Sequence, residues 1–240
     1  MRTADKDLLR ATNLILNDNF VKFNDFIQSR VVPKVHRDVP AVFAHKTDAK
    51  IYNNKIVTDI SRSGNHKIYK NTFVNIKPVP REIFKRFRFD LVLELCIGFR
   101  VMLLSNMNVD QRLVNGSIGV VRDIIYDELL RKICEIVVDF VAPKGVVTKE
   151  LKLAKEIIEK YYRVQFPITL AYALTVHKIQ GMTLQALAIA KVHKYWRKAQ
   201  LYVAVSRVRE FKDLYFVVPE DSKLTIEDYQ SMQQIGYWTL

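Results

Sequence analysis

Thr175, His177, Lys178, Gln180 and Gly181 crowd into one short stretch directly after the apolar run Ile168–Ala173. A strand that ends at a hydroxyl residue and turns into a helix start exposes backbone N–H groups. A cation and a side-chain amide beside them complete the donors that phosphate oxygens accept from. The spacing predicts that Thr175 caps a short helix ending at Gly181. Arg207 follows Val203-Ala204-Val205-Ser206 at the end of a helix predicted over 197–208. A guanidinium there suits a γ-phosphate, because its planar fork donates two parallel hydrogen bonds and stays charged at any working pH. Taken singly, these residues describe only a capped helix, a solvated lysine, a satisfied histidine and a surface arginine. Their joint occurrence points to phosphate chemistry.

The loop that would cradle such phosphates is missing from the sequence. The seven glycines (64, 98, 116, 119, 145, 181 and 236) include no pair spaced G-x-x-x-x-G, and none precedes a lysine. Ile124-Ile125-Tyr126-Asp127-Glu128 resembles an apolar strand ending in two metal-binding carboxylates, but it follows no phosphate loop and reads as a strand running into a polar turn. No metal site is expected.

The surrounding elements alternate. Leu16, Phe20, Phe23 and Ile27 recur at helical spacing, so residues near 5–30 form one helix or two broken around Asn17-Asp18-Asn19, with a stop at Pro33. Ala41–Ala44 reads as a buried strand, after which Thr47 caps a helix with the apolar face Ala49, Tyr52, Ile56 and Ile60. Residues 61–90 form a polar, basic excursion carrying the cationic cluster Arg81, Lys85, Arg86 and Arg88. Arg100–Leu104, Gly119–Tyr126 and Ile133–Phe140 are short apolar segments rich in Val and Ile, and Asn115-Gly116 between the first two is a strong hairpin signal. They predict a small antiparallel barrel. Residues 150–163 fit a helix or a ladder equally. Strands over Ile168–Ala173, Ala186–Val192 and Leu214–Val218 complete a parallel α/β layer flanking an all-β insert.

The chain's 240 residues, 49% of them hydrophobic, can bury a sizeable core. Its 38 Lys+Arg against 25 Asp+Glu give a formal charge of +13, which favours an anionic partner, nucleic acid first and an anionic membrane second. No basic amphipathic helix with exposed aromatics stands out, no apolar run approaches the ~20 residues that cross a bilayer, and the start is not a secretory signal. A soluble, intracellular chain is expected. Cys96 and Cys134 sit in strand-like apolar surroundings without metal-ligand spacing and read as buried reduced thiols.

Four motifs in order carry a resemblance: Gly98–Leu103, Leu113–Val120, Leu170–Leu184 and Tyr202–Arg207. Together they closely resemble the C-terminal half of the petite-integration-frequency (Pif) helicases, relatives of the RecD helicases, over residues 40 to 218. The resemblance implies an α/β fold: a RecA-like P-loop NTPase lobe with a parallel sheet, carrying an inserted small SH3-like β-barrel. The implied layout is residues 1–93 as the first part of the lobe, 94–165 as the insert and 166–240 as the remainder. It further implies ATP-driven 5′-to-3′ translocation on single-stranded DNA with duplex unwinding. Roles in DNA repair, recombination and telomere maintenance would follow, in the nucleus or alternatively the mitochondrion.

By the same resemblance, Thr175, His177 and Lys178 face DNA phosphates, and Gln180 and Gly181 face the nucleotide. Arg207 is the arginine finger, with Gln200 and Tyr202 as its support. Asn115 at a hairpin tip, with Arg112 and Arg122 near it, guides the strand. His45-Lys46-Thr47-Asp48 stands where a further family motif belongs and matches it weakly. ATP and Mg²⁺ are expected only when a first RecA-like lobe, in cis or in trans, supplies the missing loop and carboxylates. The chain therefore reads as half of a motor, inactive alone. A non-catalytic nucleic-acid-binding module derived from such a lobe is the alternative.

Overall fold

The computed structural model describes residues 5–64, 66–73, 78–142, 145–190 and 196–218. In chain order these form helices α1 (Lys6–Leu16) and α2 (Phe20–Ile27), strands β1 (Val31–Val32) and β2 (Ala41–Phe43), and helix α3 (Lys46–Arg62). Strand β3 (Tyr69–Thr72), helix α4 (Arg81–Arg86) and strands β4 (Val92–Leu95), β5 (Arg100–Leu103), β6 (Ile118–Asp127), β7 (Lys132–Ala142) and β8 (Gly145–Leu151) follow. Then come β9 (Ala154–Ile158), β10 (Tyr161–Gln165), β11 (Ile168–Leu170), β12 (Ala173–Thr175), β13 (Leu187–Ala190), helix α5 (Lys198–Val205) and β14 (Leu214–Val217). Two compact units share them. One gathers the chain up to Asn53 and from Tyr172 onward, and the other runs from Asn54 to Ala171.

The first unit is built on a parallel sheet of order β1-β14-β13-β2-β12. A parallel strand covered on both faces needs an unbroken apolar run, and all four residues of Leu187-Ala188-Ile189-Ala190 are buried. Of the two possibilities the sequence left open over residues 5–30, the structure has two helices, α1 and α2, separated at Asn17-Asp18-Asn19. Asp18 turns the chain at φ +55°, and the Asn19 side chain accepts the Lys22 N–H at 3.3 Å to start α2. Phe23 of α2 meets Phe216 of β14 edge to face, with ring centroids 5.8 Å apart. Trp196, fully buried, donates its indole N–H to the Ala190 carbonyl at 3.0 Å. Thr47 does not cap α3; the helix already includes Lys46, and Thr47 lies inside its first turn.

The second unit centres on an antiparallel sheet of order β11-β5-β6-β7-β8. The expected segments become β5, β6 and β7. In β6 the buried positions run Gly119, Val121 and then Ile124, because a register shift between Val121 and Asp123 inserts a residue and flips the alternation. The ambiguous stretch 150–163 is a ladder: β9 and β10 pair across the two-residue turn Glu159-Lys160, with Glu159 at φ +56°.

Several expectations are corrected here. Ile168–Ala173 is two strands, β11 pairing antiparallel with β5 and β12 joining the parallel sheet. The insert expected over 94–165 is enclosed in a unit that opens at Asn54, since β3 of the polar excursion pairs with β4. Asn115-Gly116 is not the two-residue link between β5 and β6. The connection spans residues 104–117, and within it the Ser117 N–H returns to the Val114 carbonyl at 2.9 Å with only Gly116, at φ +98°, in the left-handed region. A type I′ turn would need both central residues there. Of the two free cysteines, Cys96 is buried and Cys134 is exposed, on the outward face of β7. Burial pushes the Cys96 thiol above its ordinary range.

Glu156, Arg163, Gln165 and Thr169 are buried polar residues of the second unit. The Glu156 carboxylate accepts the Arg88 and Phe89 N–H groups at 3.0 and 2.9 Å and the Arg88 Nε at 3.2 Å. Gln165 receives Asn71 Nδ2 at 2.6 Å, and Thr169 donates to Asp90 at 2.8 Å. The basic excursion, which lacks an apolar pattern of its own, is thus pinned to β9 and β10 by side chains that require its backbone. Gly119 is the tightest backbone approach: a Cβ there would lie 2.7 Å from the Asp139 carbonyl oxygen and 2.7 Å from Val138 Cγ1. Gly119→Ala should therefore destabilise the protein by about 1–3 kcal/mol, read as a lower urea midpoint with unchanged m-value.

Candidate functional site

Strand alternation fixes what β12 can offer. The Tyr172 carbonyl accepts from Ala41, and the Val176 N–H donates to the Phe43 carbonyl at 3.1 Å, so these positions face β2. Ala173 and Thr175 then direct their backbone groups away from the sheet, and β12 is its terminal strand among the described residues. Asn53 of α3 completes that edge. Its Oδ1 accepts the Ala173 N–H at 2.8 Å and its Nδ2 donates to the Ala173 carbonyl at 3.0 Å, which imitates one rung of a further strand. Nothing in the sequence singles out Asn53. The only available signal is a carboxamide among the apolar positions of α3.

The outward Thr175 carbonyl organises the turn that follows, accepting the Lys178 and Ile179 N–H groups at 2.9 and 3.3 Å. No regular helix develops. Residues 176–181 form a hydrogen-bonded turn that Met182 N–H closes onto the Ile179 carbonyl at 3.0 Å, and Gly181 sits at φ +80°, which explains a glycine there. Val176 and Ile179 anchor the turn, while His177, Lys178, Gln180 and the left-handed Gly181 are exposed, and the stretch ends before a second helical turn can form. Thr175 does not cap through its side chain either. The residue is 3% exposed, and its buried Oγ1 has no hydrogen-bond partner among the described residues.

Arg207 lies against this turn. Its Nη1 approaches the Met182 carbonyl at 3.5 Å, and its own carbonyl accepts the Leu184 N–H at 2.8 Å. The guanidinium does not project freely. Nε donates to the Val203 carbonyl at 2.9 Å and Nη2 to Ser206 Oγ at 2.8 Å, leaving the side chain half-buried. Met182 is a second residue that motif chemistry overlooks, because its contribution is a backbone oxygen. Gln200, expected beside Arg207, occupies the other end of α5, where its Oε1 accepts the Arg197 N–H at 3.1 Å. Tyr202 is half-buried, and its carbonyl accepts the Ser206 N–H at 3.0 Å as the helix ends. His45-Lys46-Thr47-Asp48 begins α3 at the carboxyl end of β2, a position where open α/β sheets hold ligands.

In the second unit, Arg112 and Asn115 belong to the loop between β5 and β6. Arg112 is exposed at φ +56°, its N–H bound to the Val109 carbonyl and its carbonyl to Ser117 Oγ, both at 3.0 Å. The Asn115 N–H donates to Asn106 Oδ1 at 2.8 Å, and its exposed side chain caps no element. A non-glycine residue fixed in the left-handed region signals a loop whose shape is imposed by its hydrogen bonds. Arg122 is engaged instead within the sheet, 3.5 Å from Thr148 Oγ1 and 3.8 Å from Asp139. Asp127 and Glu128 stand at the β6–β7 hairpin, the first accepting the Leu130 N–H at 2.8 Å and the second paired with Lys67 at 3.0 Å.

Comparison with known proteins gives a consistent result. Residues 89–124 match the family model described as the 2B domain of the DNA helicase Pif1. The chain is 31% identical over 181 residues to the ATP-dependent DNA helicase Pif1 of Bdellovibrio bacteriovorus, covering 73% of this chain and 36% of that protein. It is 29% identical over 188 residues to the ATP-dependent DNA helicase PIF6 of Trypanosoma brucei brucei, covering 76% of this chain and 23% of that protein. The chain therefore spans about a quarter to a third of these relatives. Its fold matches the crystal structure of Pif1 helicase from Candida albicans with a TM-score of 0.73 at 23% identity, over 97% of this chain and 58% of that one. The Bacteroides Pif1 helicase in complex with ADP-AlF3 and single-stranded DNA matches with a TM-score of 0.67 at 24% identity, over 98% and 54%.

The Asn53 clasp is the feature of this site most open to direct test. Asn53→Ala leaves a partly buried N–H and carbonyl on Ala173 without partners, at a cost of about 1–3 kcal/mol. Amide exchange at Ala173 should accelerate accordingly, while exchange at β13 should follow only the global change in stability.

Proposed function

Because this chain is a relative of the Pif1-type DNA helicases in sequence and in fold, we propose that it supplies the second motor lobe of an ATP-dependent helicase moving 5′ to 3′ on single-stranded DNA. The observation that carries this reading is the junction of two motifs separated in sequence, with Arg207 lying against the 176–182 turn through Met182 and Leu184. One element offers exposed His177, Lys178 and Gln180 with turn amides, and the other offers a guanidinium beside it. His177 and Lys178 engage phosphates of the tracked strand, while Gln180 and Gly181 face the nucleotide. Thr175 acts through the carbonyl that shapes the turn. Arg112 and Asn115 of the second unit guide the strand.

The residues present fit one side of a nucleotide site. Arg207 can meet the transferred phosphoryl group, where an arginine of this kind contributes roughly 10³–10⁵ in rate. The donors for the remaining phosphates and the carboxylates for Mg²⁺ belong to a complementary RecA-like lobe, in cis or in trans. Mg²⁺ and that lobe would complete charge neutralisation, and this chain's part is to present donors and to exclude water from the seam.

A second reading, a DNA-binding module without turnover, draws on the present state of Arg207, whose Nε, Nη1 and Nη2 all face acceptors of the chain itself. The two readings separate in one assay series. The purified chain should hydrolyse ATP at background rate with or without DNA. Adding a lobe that carries a phosphate loop should restore DNA-stimulated turnover, which Arg207→Ala should lower by roughly 10³-fold or more without comparable loss of DNA affinity. Turnover by the chain alone that depends on Arg207 would overturn the first reading, and restored turnover indifferent to Arg207 would favour the second. In either case affinity for single-stranded DNA should fall steeply with salt, by about 0.7 log units per log unit of salt for each phosphate contacted. A flat dependence would remove the phosphate-contact assignment.

A further inference from the structure

The cationic excursion and the β9–β10 hairpin meet in an open cleft of about 450 Å³ within the second unit, lined by Arg86, Arg88, Ser105, Lys155 and Ile157 among others. We propose that this cleft and the adjoining outer face of the hairpin form a separate binding surface for single-stranded nucleic acid, with Arg86 and Lys155 on phosphates and Tyr162 stacking against a base. This rests on the reading above that the chain binds single-stranded DNA, and it names a further place where the strand is held.

Three features support it. First, the charge balance is positive after its own acids are counted. On the surface Arg86, Arg88, Lys155 and Lys160 stand against Glu156 and Glu159, with Arg86 Nη1 2.5 Å from Glu159 and Arg88 Nε 3.2 Å from Glu156. The Arg86 and Arg88 side chains nevertheless remain more than half exposed, so neither guanidinium is withdrawn from solvent.

Second, the outward positions of the hairpin interleave a cation with apolar and aromatic groups. Strand register sets Tyr162 opposite Ile157, and Val164 opposite Lys155. Ile157 is 63% exposed and Tyr162 36%, and Lys155 Nζ lies 4.3 Å from the Tyr162 ring centroid. Phe73 also packs against Tyr162, ring centroids 6.4 Å apart, and a partly exposed aromatic ring beside cations is the composition that holds unpaired bases without regard to sequence.

Third, the surface is built on a rigid underside. Arg163 is 3% exposed, donates Nη1 to the Phe89 carbonyl, and stacks over Phe84 and Phe87 at 4.9 and 4.5 Å. Glu156 holds the Arg88 and Phe89 amides from the same side. Segment 84–89 is therefore locked against the hairpin from within, which fixes the outward guanidinium of Arg88 and the backbone that carries Arg86.

The test measures binding of a fluorescent oligodeoxythymidine by the full chain as salt is varied. Arg86→Gln combined with Lys155→Gln should lower the salt slope by about 1.4, twice the ~0.7 expected per single-strand phosphate contact. Tyr162→Leu should weaken binding roughly tenfold and Tyr162→Phe should restore it, with unchanged thermal midpoints showing that the fold is intact. Lys178→Ala, on the other unit, separates this surface from the motif turn. Loss through Lys178→Ala alone, with the double variant and Tyr162→Leu behaving as wild type, would overturn the cleft and leave the motor reading standing. Loss through the cleft variants alone would establish the cleft and remove Lys178 from DNA contact.

Discussion

The arrangement depends on how a three-residue strand at the edge of a parallel sheet is kept from fraying. Strand β12 bonds to β2 on one side only. Everything chemically notable in the first unit, from Thr175 to Gly181, hangs from its end. An edge strand of that length has too few ladder bonds to hold a turn in place. The Asn53 carboxamide supplies both missing partners for Ala173, so the Thr175 carbonyl emerges from the sheet at a defined position and gathers Lys178 and Ile179 beneath it. The same turn then presents Met182 to Arg207. An interaction between an amide side chain and one backbone residue thus reaches, through two short links, the guanidinium that carries the functional reading.

The internal bonds of Arg207 do not prevent it from serving a nucleotide. Its acceptors are two carbonyl oxygens and a hydroxyl, all neutral, one of them at the long distance of 3.5 Å. A phosphate would add opposite charge and a bidentate fit to the guanidinium fork, an attraction that grows when water is excluded. The neutral set keeps the side chain ordered without an opposing charge that a phosphate would have to displace. Order of this kind limits the entropy lost when the pocket assembles.

What the sequence revealed and what it hid divide along physical lines. The turn after β12 was legible because turn chemistry is local: Gly181 at positive φ and the polar residues around it occupy consecutive positions. The parallel strands were legible because full burial demands unbroken apolar runs such as Leu187–Ala190. The excursion over 61–90 was illegible because its elements are held from outside, by Glu156 on the Arg88 and Phe89 amides and by Gln165 on Asn71. The boundary between units was hidden for a related reason. Ile168–Ala173 is one continuous apolar run, and only long-range pairing decides that Leu170 joins one sheet and Ala173 the other. Cys134 misled by composition. Its neighbours are apolar, but a register shift opposite Ile125 and Tyr126 leaves Cys134 as the extra residue of β7, so that Ile133 and Ile136 are both buried and Cys134 is exposed.

The two units also differ in what specifies them, and the difference suits their proposed tasks. The parallel sheet is packed from apolar side chains, aliphatic along β13 and aromatic at Phe23, Trp196 and Phe216, so its core is specified by shape and burial. The second unit buries Glu156, Arg163, Gln165 and Thr169, and burial holds the Arg163 pKa below its ordinary value against the opposing influence of Glu156 and Asp90. A buried charge tolerates only the geometry that satisfies it, since losing its partner leaves it stranded in a poor solvent. Arg163 hydrogen-bonds only the Phe89 carbonyl, its Nε and Nη2 having no hydrogen-bond partner among the described residues, so the hold on the excursion comes chiefly from Glu156 and Gln165. A surface that must hold a moving strand in constant orientation gains from that anchoring, and the basic excursion, with no apolar face of its own, could be kept in register in no cheaper way.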